Sequence, residues 1–372
     1  MKPSPSRRSF LKKAALASGA VALSGCAPSA RAKREAIKWR VPTLWDAGTV
    51  GFTTFQKFCE SIKPMTDGQL EFEAMTSQAV TRGQFQLFDA VKEGKCEAIN
   101  GATANWAHRL PVAAFLASYP LGLDRPDQWE TWYYELGGLQ LARRAYEAEG
   151  LFFVGPIQHD MNIIHSKVPI RSFEELKGKR MRFPGGIVAE VFQEAGASTV
   201  ILPGAEVYAA MEKGTIDAAD FVGPAVNYNL GFGNIAKYII MGPRSTPCLH
   251  QAADLLELTV RLDRWRELSK PLQDIVVAAV RQYSWDHYST IQRENIAAWE
   301  KFEKMGVEII RLTEADVHKL RKLAIPVWFK WARKDALTRE AFASQLRFMR
   351  SQSVGYISED MLVDRDGRAL EL

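Results

Sequence analysis

The spacing of apolar positions changes period repeatedly along the first hundred residues. Ile37-Lys38-Trp39-Arg40-Val41-Pro42 alternates apolar and polar, which predicts an opening strand. A loop containing Gly48 follows, and Phe52, Phe55, Phe58, Cys59 and Ile62 then recur at helical spacing until Pro64 and Asp67-Gly68 end the run. Alternation returns at Leu70-Glu71-Phe72-Glu73-Ala74, residues 85–91 read as a helix stopped at Gly94, and Ala98-Ile99 opens another strand. The same succession is predicted further on, with strands at 151–154, 180–183, 199–202 and 218–222 and helices at 172–176, 188–195 and 205–213. From Asp254 the texture changes to long helices. Residues 275–288 continue towards Met305, a short strand spans 307–310, and a helix over 314–336 should be kinked or divided at Pro326, which has no backbone N–H to donate.

Repeated β-loop-α units predict an α/β fold. Two sets of them followed by helices predict a hinged clamshell: residues 37–157 form the first part of one lobe, 158–245 the second lobe, and 246–372 a return to the first lobe plus helices bracing both. Loops at the carboxyl ends of open-sheet strands form natural crevices, so a ligand is expected between the lobes.

Residues 1–26 follow another pattern. Ser6-Arg7-Arg8-Ser9-Phe10-Leu11-Lys12-Lys13 is a basic head with paired arginines, and a short apolar stretch from Ala14 to Leu23 follows. That order predicts an export signal of the twin-arginine type, its apolar core falling short of the roughly 20 residues a spanning helix needs. Leu23-Ser24-Gly25-Cys26 resembles a lipobox, which implies lipidation at Cys26; the alternative is ordinary cleavage near Ala27-Pro28-Ser29-Ala30. Either way the mature chain is expected in the periplasm, tethered by lipid in the first case.

This segment also changes the reading of charge. The chain carries +5, but Lys2, Arg7, Arg8, Lys12 and Lys13 all lie in the signal with no acid among them, so the mature body is formally neutral. No global field draws it to nucleic acid. Cys59, Cys96 and Cys248 lack the spacing of a metal-cysteine site, and their number permits one disulfide or three free thiols.

No positive sign of catalysis appears. The chain has no Gly-x-Ser-x-Gly, no His-Glu-x-x-His and no phosphate-cradling glycine loop, and its six histidines are scattered. His159, beside Gln158, is the one that could act as a general base; a hydrogen-bonded structural role is the plainer reading.

Leu176-Lys177-Gly178-Lys179-Arg180-Met181-Arg182 leads into Phe183-Pro184-Gly185-Gly186, and Gly214-Thr215-Ile216-Asp217-Ala218-Ala219-Asp220-Phe221-Val222-Gly223-Pro224 comes about thirty residues later. Together with Asp67-Gly68, Asp89-Ala90-Val91, Glu93-Gly94, Trp106, Gly231-Phe232 and Lys237-Tyr238, these resemble the extracytoplasmic solute receptors of TRAP transporters, and within them the 2-oxo acid branch. The resemblance implies a periplasmic-binding-protein-like clamshell with long C-terminal helices. It also implies a receptor without enzymatic activity that captures a small organic carboxylate, a 2-oxo or 2-hydroxy monocarboxylate above others, for membrane subunits that import it. A C4-dicarboxylate, a sugar acid, a cyclic amino acid or an exported enzyme are the alternatives.

The resemblance places Arg182 on the ligand carboxylate, and the planar guanidinium fork suits that role. It implies Asn105, Trp106, Gln158, Phe221 and Asn227 as further ligand contacts, with Trp45 as additional wall. It also implies a sodium or calcium ion beside the ligand, held by Gln158 and Asp220-Phe221. The third acid of that set is missing, since no Asp or Glu lies between Phe221 and Ala253; Thr246 or Gln251 could offer a neutral oxygen. A homodimer through the C-terminal helices, around 328–336, is the alternative to bracing.

Overall fold

The structure is a computed structural model that describes residues 35–355 and 357–372. The signal segment and Cys26 lie outside the described residues. Eleven strands, numbered along the chain, are found among the described residues: β1 (Ile37–Thr43), β2 (Leu70–Thr76), β3 (Ala98–Ala102), β4 (Leu151–Gln158), β5 (Ile163–Ser166), β6 (Arg180–Arg182), β7 (Ser198–Val200), β8 (Ala218–Phe221), β9 (Tyr238–Met241), β10 (Leu255–Arg261) and β11 (Glu308–Arg311). They form two sheets, β2-β1-β3-β10-β4 and β11-β9-β5-β8-β6-β7.

In the first sheet β1 runs parallel to β2, Ile37 opposite Leu70 and Thr43 opposite Thr76, while β10 runs antiparallel to β3 and β4. The alternation read at 37–42 and 70–74 corresponds to these strands, and the helix Val50–Met65 buries Phe55, Phe58, Cys59 and Ile62 against them. Its N-cap, Thr49, accepts a hydrogen bond from Phe52 N at 3.2 Å, satisfying an otherwise orphaned donor. Strand β10 is absent from the sequence expectations. Both its faces are buried, so Leu255-Leu256-Glu257-Leu258 shows no alternation and reads like the start of the helical region.

The chain leaves the first sheet after β4, enters the second at β5, and returns at β10. The two crossings run side by side: His159 N donates to Asp254 O at 2.9 Å, Asp254 N to Asp160 O at 3.1 Å, and Asn162 N to Gln251 O at 3.0 Å. The C-terminal part is not confined to the first lobe, because β11 pairs in parallel with β9 and extends the second sheet.

The helix Lys270–Lys304, about 50 Å long, packs on β4 and also on the short helix Pro224–Asn229 of the second lobe. The next helix, Glu314–Ala332, runs through Pro326 undivided and ends before Ala336–Arg350 begins. These last two helices touch both lobes. Trp328 Nε1 donates to Pro120 O at 3.1 Å and Tyr119 O–H to Gln345 at 3.0 Å on the first; Trp331 Nε1 donates to Glu190 at 2.8 Å on the second. One apolar cluster, from Trp106 and Phe115 through Trp328 and Phe342 to Phe183 and Phe192, joins the lobes beneath the crossings. Cys59, Cys96 and Cys248 are buried free thiols.

Candidate functional site

The carboxyl ends of β1, β3, β6 and β8 face one another across a cleft of about 650 Å³, its open mouth included. Its lining comes from the first lobe (Trp45, Thr49, Asn105), the second (Arg182, Asp220, Phe221) and the crossings (Asn162, Gln251, Asp254). Arg182 ends β6, whose pairing with β7 and β8 buries Met181 and carries Arg182 to the crevice. Arg180, two residues earlier, forks onto Asp217 at the surface instead.

Arg182 is 3 % exposed. Its Nε donates to Leu202 O at 3.1 Å and its Nη1 to Asp220 O at 2.8 Å, with Asp220 Oδ2 at 3.4 Å. The guanidinium carbon stands 5.5 Å from the centre of the Phe221 ring. Among the described residues Nη2 donates to no protein group. Burial pulls its pKa below the usual arginine value, and Asp220 opposes this.

Across the cleft, Asn105 Nδ2 and Asn162 Oδ1 are buried without partners. Such atoms cost free energy unless something else satisfies them. Asn162 Nδ2 donates to Gln251 Oε1 at 3.2 Å, and Gln251 Nε2 donates to Asp254 Oδ1 at 3.1 Å. Asp254 is pushed up to about 6, chiefly by burial.

Asp220 lies between Arg182 and His250. Its Oδ1 lies 2.6 Å from His250 Nε2 while Oδ2 faces Arg182, and all three side chains are buried. Burial disfavours the imidazolium, but the neighbouring Cys248 and Asp220 outweigh it and raise His250 to about 10.

Of the residues implied by the resemblance, Arg182, Asn105, Asp220, Phe221 and Trp45 line the cleft and Gln158, Trp106 and Asn227 do not. Trp106 is fully buried core, its indole N–H bonded to Tyr146 at 2.9 Å and to Glu257 at 3.3 Å. Asn227 is turned inward, its amide donating to Val222 O and towards His165 Nε2. Gln158 sits at the hinge, its backbone N bonded to Ser284 Oγ at 2.8 Å and its Nε2 to Pro126 O at 3.3 Å. His159 is packed against Trp45, hydrogen-bonded to His287 at 3.0 Å and 3.0 Å from Asp160 Oδ1. Asn162, His250 and Asp254 have no counterpart among the sequence expectations; they lie on the crossings, where no local pattern marks them. Asp254 stands one residue beyond the stretch read as lacking acids.

Of the implied ion-binding set, Asp220 and Phe221 line the cleft. Gln158 Oε1 is buried with no partner, as a cation ligand would be, but Gln158 does not line the cleft. Asp220 Oδ1 faces His250 and its Oδ2 faces Arg182.

The Glu257 cluster under Trp106 has its own consequence. Burial lifts Glu257 to about 7, against the pull of donors from Tyr146 and Thr259. A carboxyl that holds its proton more tightly when folded costs nothing below its unfolded pKa, and the cost grows as pH rises through the folded value. Glu257 and Asp254 should therefore lower stability between about pH 4 and pH 7, by on the order of 3 kcal/mol each. Urea denaturation at pH 5 and pH 8 measures this, and Glu257→Gln should flatten part of the slope; an unchanged slope would place its origin elsewhere.

The family of bacterial extracellular solute-binding proteins, family 7 (DctP), matches residues 42–335. The chain belongs to that family. This family 7 protein is 26% identical over 342 residues to the monocarboxylate 2-oxoacid-binding periplasmic protein of Nostoc sp., covering 90% of this chain and 92% of the other. A TRAP periplasmic solute-binding protein of Pseudoalteromonas atlantica, solved with bound sodium and pyruvate, superposes with a TM-score of 0.75 at 25% identity, covering 86% of this chain and 98% of that one. A TRAP solute-binding protein of Bordetella bronchiseptica, a dimer with calcium and picolinate, gives a TM-score of 0.78 at 23% identity, over 86% and 94% of the two chains, and shares the fold. As a family 7 receptor, the chain is an extracytoplasmic solute-binding component of a TRAP-type transporter. Among its described residues no helix is long and apolar enough to cross a membrane.

Proposed function

We propose that this receptor captures a small monocarboxylate, a 2-oxo acid above others, and performs no chemistry on it. The observation that carries the reading is the single buried guanidinium: Arg182 is the one Lys, Arg or His among the described residues lining the cleft, while Asp46, Asp220 and Asp254 line it as well. One carboxylate finds a planar partner there. A second would meet acids and no cation, which disfavours a diacid. Asn105 Nδ2 offers a donor for a 2-oxo or 2-hydroxy oxygen. The ligand carried by the Nostoc relative and by the Pseudoalteromonas structure supports the same class. Closure of the lobes over the ligand follows from contacts drawn from both, since only a ligand that binds the shut state better shifts the population towards it. Export by the twin-arginine route to the periplasm, with cleavage at Cys26, remains part of this proposal.

Thermal melting of the mature protein against pyruvate, 2-oxobutyrate, lactate, malate and succinate tests it. A ligand at a hundred times its Kd should add about 2.7 kcal/mol to folding stability. The monocarboxylates should shift the transition and the C4 diacids should not; a diacid that shifts it further than any monocarboxylate would overturn the reading.

A further inference from the structure

Trp45 forms part of the first-lobe wall of the cleft, and it can stand where it does because residue 51 has no side chain. Gly51 lies in the first turn of the helix Val50–Met65 and has no positive φ, so the glycine serves space and not backbone conformation. A Cβ there would fall 2.7 Å from Cε2 and Cε3 of the indole and closer still to Cδ2, so the flat of the ring rests on the helix backbone. Two imidazoles back the same ring, His159 with its centroid 5.0 Å away and His287 at 5.7 Å. Both are fully buried. They are bonded to each other at 3.0 Å, and His287 is bonded to Thr54 Oγ1 of the same helix at 2.6 Å, so neither can make way for a displaced indole. The side on which the ring can yield is the cleft, where Leu44, Val226 and Leu256 complete an apolar lining with it.

We propose that Gly51 sets how long a carbon chain the cleft accepts, by letting Trp45 stand back against the helix and keeping the space in front of the indole for the apolar end of the ligand. The inference rests on the monocarboxylate reading above: with the carboxylate on Arg182 in the second lobe, the far end of a 2-oxo acid meets the Trp45 wall of the first. A methyl group at residue 51 would drive the indole into that space, because the helix and the two imidazoles close the other directions. The carboxylate end would keep its partners, and only ligands reaching the wall would lose room. Gly51 does not line the cleft and acts through Trp45, so it is a positioning residue rather than a ligand contact.

The test is calorimetric titration of the mature protein with pyruvate, 2-oxobutyrate and 2-oxo-4-methylpentanoate. Wild type should bind all three. Gly51→Ala should weaken pyruvate by no more than about threefold and 2-oxo-4-methylpentanoate by at least about tenfold, since one methylene too many in an apolar pocket is worth that much or more. Gly51→Ala combined with Trp45→Leu, which removes the displaced ring, should recover most of the affinity for the longer acid. A Gly51→Ala variant that weakens all three acids alike, leaving their ratios unchanged, would show a merely structural glycine and overturn the proposal. So would a wild type that binds pyruvate and neither of the longer acids. Should Gly51→Ala fail to fold by circular dichroism, Trp45→Leu alone decides: it should raise the affinity for 2-oxo-4-methylpentanoate relative to pyruvate by at least about threefold, and an unchanged ratio would overturn the proposal. Wild type that binds none of the three acids would count against the monocarboxylate reading itself, and this inference would fall with it.

Discussion

Arg182→Ala is expected to abolish carboxylate capture. Removing one partner of a buried, hydrogen-bonded charge pair costs roughly 2 to 5 kcal/mol, a loss of affinity between about thirtyfold and several thousandfold. The same substitution strips the donors from Leu202 O and Asp220 O and leaves Asp220 with His250 alone, so the variant should also melt earlier. Arg182→Lys separates the two effects. It keeps a positive charge beside Asp220 and loses the planar fork, so folding should be largely kept while affinity still falls at least tenfold. Titration calorimetry with circular dichroism on both variants decides; a lysine variant that binds as tightly as wild type would show that Arg182 supplies charge and not geometry.

The second large effect is expected at the hinge. A Cβ on Gly223 would lie 1.8 Å from Asp160 Oδ2, so Gly223→Ala must displace that carboxylate. Asp160 is buried and cannot simply swing into solvent. It accepts from Asn295 of the long helix, and Asn295 Oδ1 in turn accepts from Ala225 N of the second lobe at 2.9 Å. Overpacking together with the broken buried hydrogen bonds should cost roughly 2 to 5 kcal/mol. Urea denaturation should show the midpoint falling with little change in slope. A midpoint equal to that of wild type would mean that the Asp160 side chain is not held by these partners.

The site was legible where a local motif carries the chemistry. Lys177-Gly178 turns the chain into β6, and the strand ends on Arg182; the next crossing strand ends on Asp220-Phe221. Asn105, which the resemblance implied, follows in the loop after β3 and lines the cleft. Trp106, its neighbour, fails by the same logic that selected it. A tryptophan presents a large apolar body with one polar N–H, and nothing local says whether that N–H meets a ligand or a buried acid. Glu257, 151 residues away, decides. Gln158 and Asn227 likewise found partners on elements the sequence does not place nearby, Ser284 for one and His165 for the other.

The sequence by itself determined the alternation of strands and helices, the export signal as an expectation and the absence of a catalytic motif, and its resemblance to the family singled out Arg182. These depend on side-chain period and on motifs a few residues long, which are local properties of the chain. Only the tertiary structure decided that β10 returns to the first sheet, that β11 joins the second, and that His250 stands against Asp220. Pairing between segments far apart in sequence is chosen by burial and by the need to satisfy every buried polar group at once. His250 shows the reason most plainly: it lies 30 residues from Asp220, and the two meet only once the return crossing has been laid beside β8.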